Sequence, residues 1–114
     1  VNKYAWSKLG GECAVMMYDN SCIIRTSMTD YPFPHEFAIE DSFKSSIFIN
    51  DATKIILSLL DCTGVYNVGG ERMSIYDFAK KSKKDVKKIK IKEIKDVSMP
   101  KDSSMCIDKM KASI

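Results

Sequence analysis

Residues 2–18 carry a helical pattern. Tyr4, Lys8, Gly11 and Val15 mark one face, Leu9, Cys13 and Met16 mark another, and Asp19-Asn20 supplies turn chemistry that ends the helix. The next run, Ser21-Cys22-Ile23-Ile24-Arg25-Thr26-Ser27, is short, apolar and rich in β-branched residues. It reads as a buried parallel strand. Residues 28–44 hold Pro32, Pro34 and aromatics without a period, which predicts a loop with one helical turn at most.

Periodicity then returns. Residues 46–49 read as a brief strand, and Asn50 or Asp51 is placed to cap a helix reaching to about residue 61. Ile55, Ile56, Leu59 and Leu60 form its apolar face. Gly64-Val65-Tyr66-Asn67-Val68-Gly69-Gly70 reads as a strand ending in a glycine turn, and Ser74 caps a helix to about residue 83. Alternation in Lys88-Ile89-Lys90-Ile91-Lys92 predicts an edge strand guarded by lysines. Met99-Pro100-Lys101-Asp102 reads as a turn, and the tail closes in a short helix. The order α-β-(loop)-β-α-β-α-β indicates an α/β fold.

Composition narrows this picture. A chain of 114 residues allows one small domain or a piece of a larger one, and 45% hydrophobic residues suffice for a core. A net charge of +3 does not by itself call for nucleic acid. The four cysteines, Cys13, Cys22, Cys62 and Cys106, form no CxxC and read as reduced, mostly buried thiols. No signal peptide is expected, and the sequence shows no apolar run of membrane-spanning length and no glycosylation sequon. The expected setting is cytoplasmic, without a membrane partner. His35 has no partner at ligand spacing, so no metal site is expected. The start at Val1 rather than Met suggests truncation.

The candidate chemistry lies in the first helix. Tyr4 and Lys8 are one turn apart on one face, which sets an ammonium beside a phenol. A neighbouring cation favours the phenolate, and a tyrosine so placed can exchange a proton with a carbonyl or alcohol oxygen. A second pair, Tyr76 and Lys80, has the same spacing, so spacing alone does not decide. The context of the first is different: Tyr4-Ala5-Trp6-Ser7-Lys8-Leu9-Gly10-Gly11-Glu12 is followed directly by a strand.

The phrase YxxSKxxGE resembles the active-site helix of the extended short-chain dehydrogenase/reductase family. Ile23-Ile24-Arg25-Thr26-Ser27 resembles the family's hIRTS strand, and Ile49-Asn50-Asp51-Ala52 its hxDhA helix start. Residues 64–70 with Ser74 resemble GxYNxGG…S, and Met99-Pro100-Lys101-Asp102-Ser103-Ser104 resembles RPxDxSL. These phrases stand in the family's order and cover nearly the whole chain. They are most similar to the nucleotide-sugar reductase/epimerase branch.

The resemblance implies an NAD(P)H-dependent reductase of a nucleotide-linked 4-keto-6-deoxy sugar. In it Tyr4 is the acid/base, and Lys8 anchors the nicotinamide ribose and tunes the tyrosine. Tyr4, Lys8, Arg25, Thr26 and Ser27 contact the cofactor, NADP or NAD, and Met28 lines the sugar pocket where the family carries a bulky aromatic. Ligand binding beyond the carboxyl end of a parallel strand fits this placement. The resemblance also implies the C-terminal part of a Rossmann-type fold with its substrate-binding lobe, the N-terminal nucleotide-binding half being absent. Residues 1–30 would hold the active-site helix and core strand. Residues 31–114 would form mainly the substrate lobe, with a returning core segment near 45–70. The expected partners are a nucleotide sugar and the missing half or a partner chain, with a possible homodimer and no nucleic acid.

Plainer readings stand beside these. Arg25 can pair with a surface carboxylate, and Thr26 and Ser27 can satisfy turn amides. Gly69-Gly70 lacks the GxGxxG spacing of a phosphate cradle and reads as a turn. Asp51 reads as a helix cap and Asp102 as a turn residue. Two rival functions remain. One is a catalytically silent sugar-nucleotide-binding subunit. The other is a basic module in which the nine lysines between Lys80 and Lys95 track phosphates.

Overall fold

The strand that the sequence marks most clearly forms as β1 (Cys22–Thr26) in a computed structural model that describes residues 2–95 and 98–114. It runs parallel to β6 (Gly64–Val68), with Cys22 opposite Gly64 and Thr26 opposite Val68. Before it lies α1 (Lys3–Val15), started by Asn2, whose side-chain oxygen accepts from the Ala5 amide at 2.8 Å. α2 (Ile49–Ser58) crosses between β5 (Ile47–Phe48) and β6, giving the strand–helix–strand unit of an α/β fold.

Two apolar clusters hold the chain together. The larger gathers Ile47, Ala52, Leu59, Tyr66 and Val68 with Ile107 and Met110, the latter two brought by the C-terminal segment and α4 (Asp108–Ser113). Leu59, at 1% exposure, contributes about 1.5–3 kcal/mol by its burial alone. The smaller cluster joins Phe33, Ala38, Ala79 and Val86. Its Ala79 lies on α3 (Ile75–Lys80), which Ser74 caps as expected by accepting from the Asp77 amide at 3.0 Å.

The structure corrects several expectations. Residues 28–44 hold no helical turn but three short strands: β2 (Met28–Thr29), β3 (Phe37–Ile39) and β4 (Phe43–Lys44). Their partners are remote. β2 pairs with β5 and β3 with β8 (Lys87–Ile89), both parallel, while β4 pairs antiparallel with β7 (Met73–Ser74). Strands of two or three residues are too short to show a period. The cap of α2 falls two or three residues early, at Phe48, and makes no side-chain hydrogen bond. Asp51 therefore sits inside the first turn, where its charge faces the positive helix end. Leu60 does not join the apolar face. The helix stops at Ser58 and Leu60 turns outward, 69% exposed.

The lysine-rich strand is also shorter than its alternation predicts. Glu93 accepts from the Lys90 amide at 3.1 Å and Asp41 from the Ile91 amide at 2.9 Å, which folds Ile91–Glu93 into a 3-10 turn. α1 and α3 end three residues earlier than expected. The cysteines are free, but only Cys22 and Cys62 are partly buried; Cys13 and Cys106 are exposed. No helix among the described residues is long and apolar enough to cross a membrane.

Candidate active site

α1 presents Tyr4 in its first turn and Lys8 in its second. The Lys8 ammonium lies 5.7 Å from the centre of the Tyr4 ring. Both side chains are open to solvent, Tyr4 being 70% exposed. No residue of α1 is buried, and a Cβ added at Gly10 or Gly11 would meet nothing within 4 Å.

Glu12 ties this helix to β1. Its carboxylate accepts a bidentate fork from Arg25, with Nη2 at 2.7 Å and Nε at 2.9 Å. The Arg25 hydrogen bond holds the Glu12 carboxyl below its usual range, and Glu12 in turn raises Arg25. Thus the surface-pair reading of Arg25 describes its observed contact. Glu12 belongs to the quoted active-site phrase, but its partner could not be read from sequence, because the pairing spans 13 positions between two elements.

Between helix and strand lies open space. Tyr4, Lys8, Glu12, Ile24, Arg25 and Thr26 surround a hollow of about 270 Å³. A second gap of about 480 Å³ separates Ser7, Lys8, Gly11 and Val15 from Cys22 and Ile23. The Thr26 hydroxyl is buried and has no hydrogen-bond partner among the described residues. A buried hydroxyl without a partner is costly, and Thr26 does not satisfy a turn amide here. β1 has β6 as its strand neighbour among the described residues, so its other edge is open.

Ser27 and Met28 turn away from this hollow. They line a separate cleft of about 290 Å³ with Phe33, Phe78 and Lys44. The structure therefore brings Tyr4, Lys8, Arg25 and Thr26 together and places Ser27 and Met28 next door. The Ser27 carbonyl accepts from the Ile47 amide at 3.2 Å.

The chain matches no family model and no curated protein. A solved structure does match: the crystal structure of a hypothetical dTDP-4-dehydrorhamnose reductase from Sulfolobus tokodaii aligns with 100% of this chain at a TM-score of 0.79 and 26% identity. This chain is similar to a dTDP-4-dehydrorhamnose reductase along its whole length. It spans about half, 49%, of that protein.

Within the reductase-like fold the other motifs separate by their surroundings. Lys80 lies 5.6 Å from the Tyr76 ring, nearly the Tyr4–Lys8 distance, but Tyr76 packs on the smaller cluster with Lys88 also over its ring at 5.5 Å. Gly69 and Gly70 allow close backbone packing. A Cβ at Gly69 would stand 2.4 Å from the Ser45 carbonyl oxygen, and one at Gly70 2.6 Å from that of Ser46. The glycine pair therefore serves the close approach of two backbone segments. In the lysine-rich segment Lys87 pairs with Glu36 at 3.1 Å, while Lys88 and Lys90 approach Glu40.

Proposed function

We propose that this chain is part of an NAD(P)H-dependent reductase of a nucleotide-linked 4-keto-6-deoxy sugar. It would form the C-terminal Rossmann strands and substrate lobe of that enzyme, in a cytoplasmic setting. The observation that carries the reading is the likeness to the reductase fold over the whole chain, with Tyr4 and Lys8 over a hollow beside the end of β1.

Each residue then has a task. Tyr4 gives a proton to the sugar oxygen as its carbonyl is reduced. Lys8 holds ribose hydroxyls and keeps a cation beside the phenol. Thr26, with its unpartnered hydroxyl, and Arg25 line the cofactor side, Glu12 keeps Arg25 oriented, and Ser27 lies on the neighbouring cleft with Met28. Met28 borders the sugar. A bound nicotinamide would supply the hydride. The donors around the hollow suit the ribose end of such a cofactor. The described residues offer no cradle for its pyrophosphate, since the glycine pair is packed against carbonyls.

The pyrophosphate site would come from a nucleotide-binding half, on the same polypeptide or on a partner. The open edge of β1 and the gap under α1 support this complement, as does the twofold length of the matched reductase. The same open edge favours a second reading, a catalytically silent sugar-nucleotide-binding subunit that pairs with an active chain.

The test is NADPH oxidation with a 4-keto-6-deoxy nucleotide sugar, measured on the complete protein with and without Tyr4→Phe. The substitution should lower the rate by about 10²–10⁴-fold with little loss of cofactor binding. An unchanged rate removes Tyr4 from the mechanism. The 114-residue chain alone should show no turnover; turnover by it would overturn the division of labour.

A further inference from the structure

We infer that Cys22 and Cys62 form a redox-reactive thiol pair, which a peroxide closes into a disulfide joining the start of β1 to the turn after α2. The inference is independent of the reductase reading. It assigns a modification site to two groups that the proposed chemistry does not use.

Distant segments bring these thiols to one place. Cys22 stands opposite Gly64 in the parallel pairing of β1 with β6, and Cys62 lies two positions before that glycine. Both residues meet one atom. The Leu59 carbonyl oxygen lies 4.0 Å from the Cys22 sulfur and accepts from the Cys62 amide at 2.9 Å. Both side chains pack on the larger apolar cluster, and both thiols are free. Tyr66 of that cluster is a shared neighbour. Hydrogen bonding with Cys62 raises its phenol above the usual range, and charge on Cys22 acts in the same direction. The exposed Cys13 and Cys106 make neither contact.

The backbone suits closure. A disulfide needs its two Cα atoms about 4.4–6.8 Å apart, and adjacent strands run about 4.8 Å apart, so the chain just after Cys62 is already within such reach of Cys22. Cys62 itself lies outside helix and strand, between the exposed Asp61 and Thr63. Gly64 beyond it has a φ of 103°, a conformation that glycine adopts without strain. This connection can draw in without breaking a strand pair.

The chemistry balances with hydrogen peroxide as oxidant. Both cysteines are partly exposed, and a peroxide is little larger than water. One thiolate attacks a peroxide oxygen, the O–O bond breaks, and a sulfenic acid forms as water leaves. The second thiolate attacks that sulfur, the S–O bond breaks, and a second water departs. Two thiols lose two electrons and two protons, and the peroxide is reduced to two waters. In a reducing compartment such a bond is transient, which makes the pair a sensor and not a permanent staple.

Peroxide treatment of the purified protein tests this, with remaining thiols alkylated in denaturant and the peptides mapped by mass spectrometry. A peptide pair linked through Cys22 and Cys62 should exceed every other pairing by about 10-fold or more and vanish on reduction with dithiothreitol. The same treatment in urea should erase that preference, because only the folded chain holds the two thiols together. Cys62→Ser should abolish the link and leave Cys22 as a sulfenic acid that a cyclic diketone traps. Full alkylation of Cys22 and Cys62 after peroxide would overturn the pair. So would links that join either of them mainly to Cys13 or Cys106. The wild-type map alone decides this, whatever the stability of the serine variant.

Discussion

Replacing Gly69 by alanine should unfold this chain far more readily, and the size of the effect follows from one distance. The added Cβ would lie 2.4 Å from the Ser45 carbonyl oxygen, and real contacts of this kind essentially never fall below 3.0 Å, so the carbonyl must retreat by about 0.6 Å. That carbonyl accepts from the Gly70 amide at 3.2 Å. Ser45 is fully buried, and its hydroxyl accepts from the Met105 amide at 3.0 Å and donates to the Met105 carbonyl at 3.3 Å. Moving it strains the seam that holds the C-terminal segment. Overpacking costs about 1–3 kcal/mol and a broken buried hydrogen bond about 1–3 kcal/mol, so the sum is about 2–6 kcal/mol. At a slope of about 2 kcal/mol/M, the midpoint of a urea titration should fall by about 1–3 M. Gly10→Ala is the natural contrast. Its Cβ would meet open space in a helix, so it should stabilise by about 0.5–1 kcal/mol. A loss below about 0.5 kcal/mol for Gly69→Ala would refute the packing argument and reopen the phosphate-turn reading.

Two further predictions follow from charged groups. Glu12→Gln removes the carboxylate that holds Arg25, so amide exchange in residues 11–15 should speed up while β6 keeps its protection; unchanged exchange in α1 would show that the fork does not anchor the helix. Asp102 accepts from the Ser104 hydroxyl at 2.6 Å, from the Ser104 amide at 3.0 Å and from Arg72 Nε at 3.0 Å, which depress its carboxyl to about 2. Because the folded value lies below the unfolded one of about 3.9, this contribution is complete above about pH 4 and is lost as pH falls toward 2. The Ser104 amide signal followed by NMR should titrate near pH 2; a midpoint near 4 would contradict the assigned contacts.

Local rules made part of this protein legible from sequence. Dense β-branched residues marked β1, and the serine before Ile75-Tyr76 marked the start of α3, because strand preference and capping depend on nearest neighbours. The Tyr4–Lys8 pair was equally plain, since helical spacing alone sets its distance. Other features required the folded chain. β2, β3 and β4 exist because distant strands supply their hydrogen bonds, and no window of two or three residues can show that. The Asn50/Asp51 cap failed for a related reason: β5 leads directly into α2, so the entry of the chain and not the side chain fixed the helix start. The nearness of Arg25 to Glu12 and the Thr26 hydroxyl left without a partner among the described residues are likewise tertiary facts. Sequence determines which groups are able to react. Only packing decides which of them share a cavity, because that depends on contacts between residues far apart in the chain.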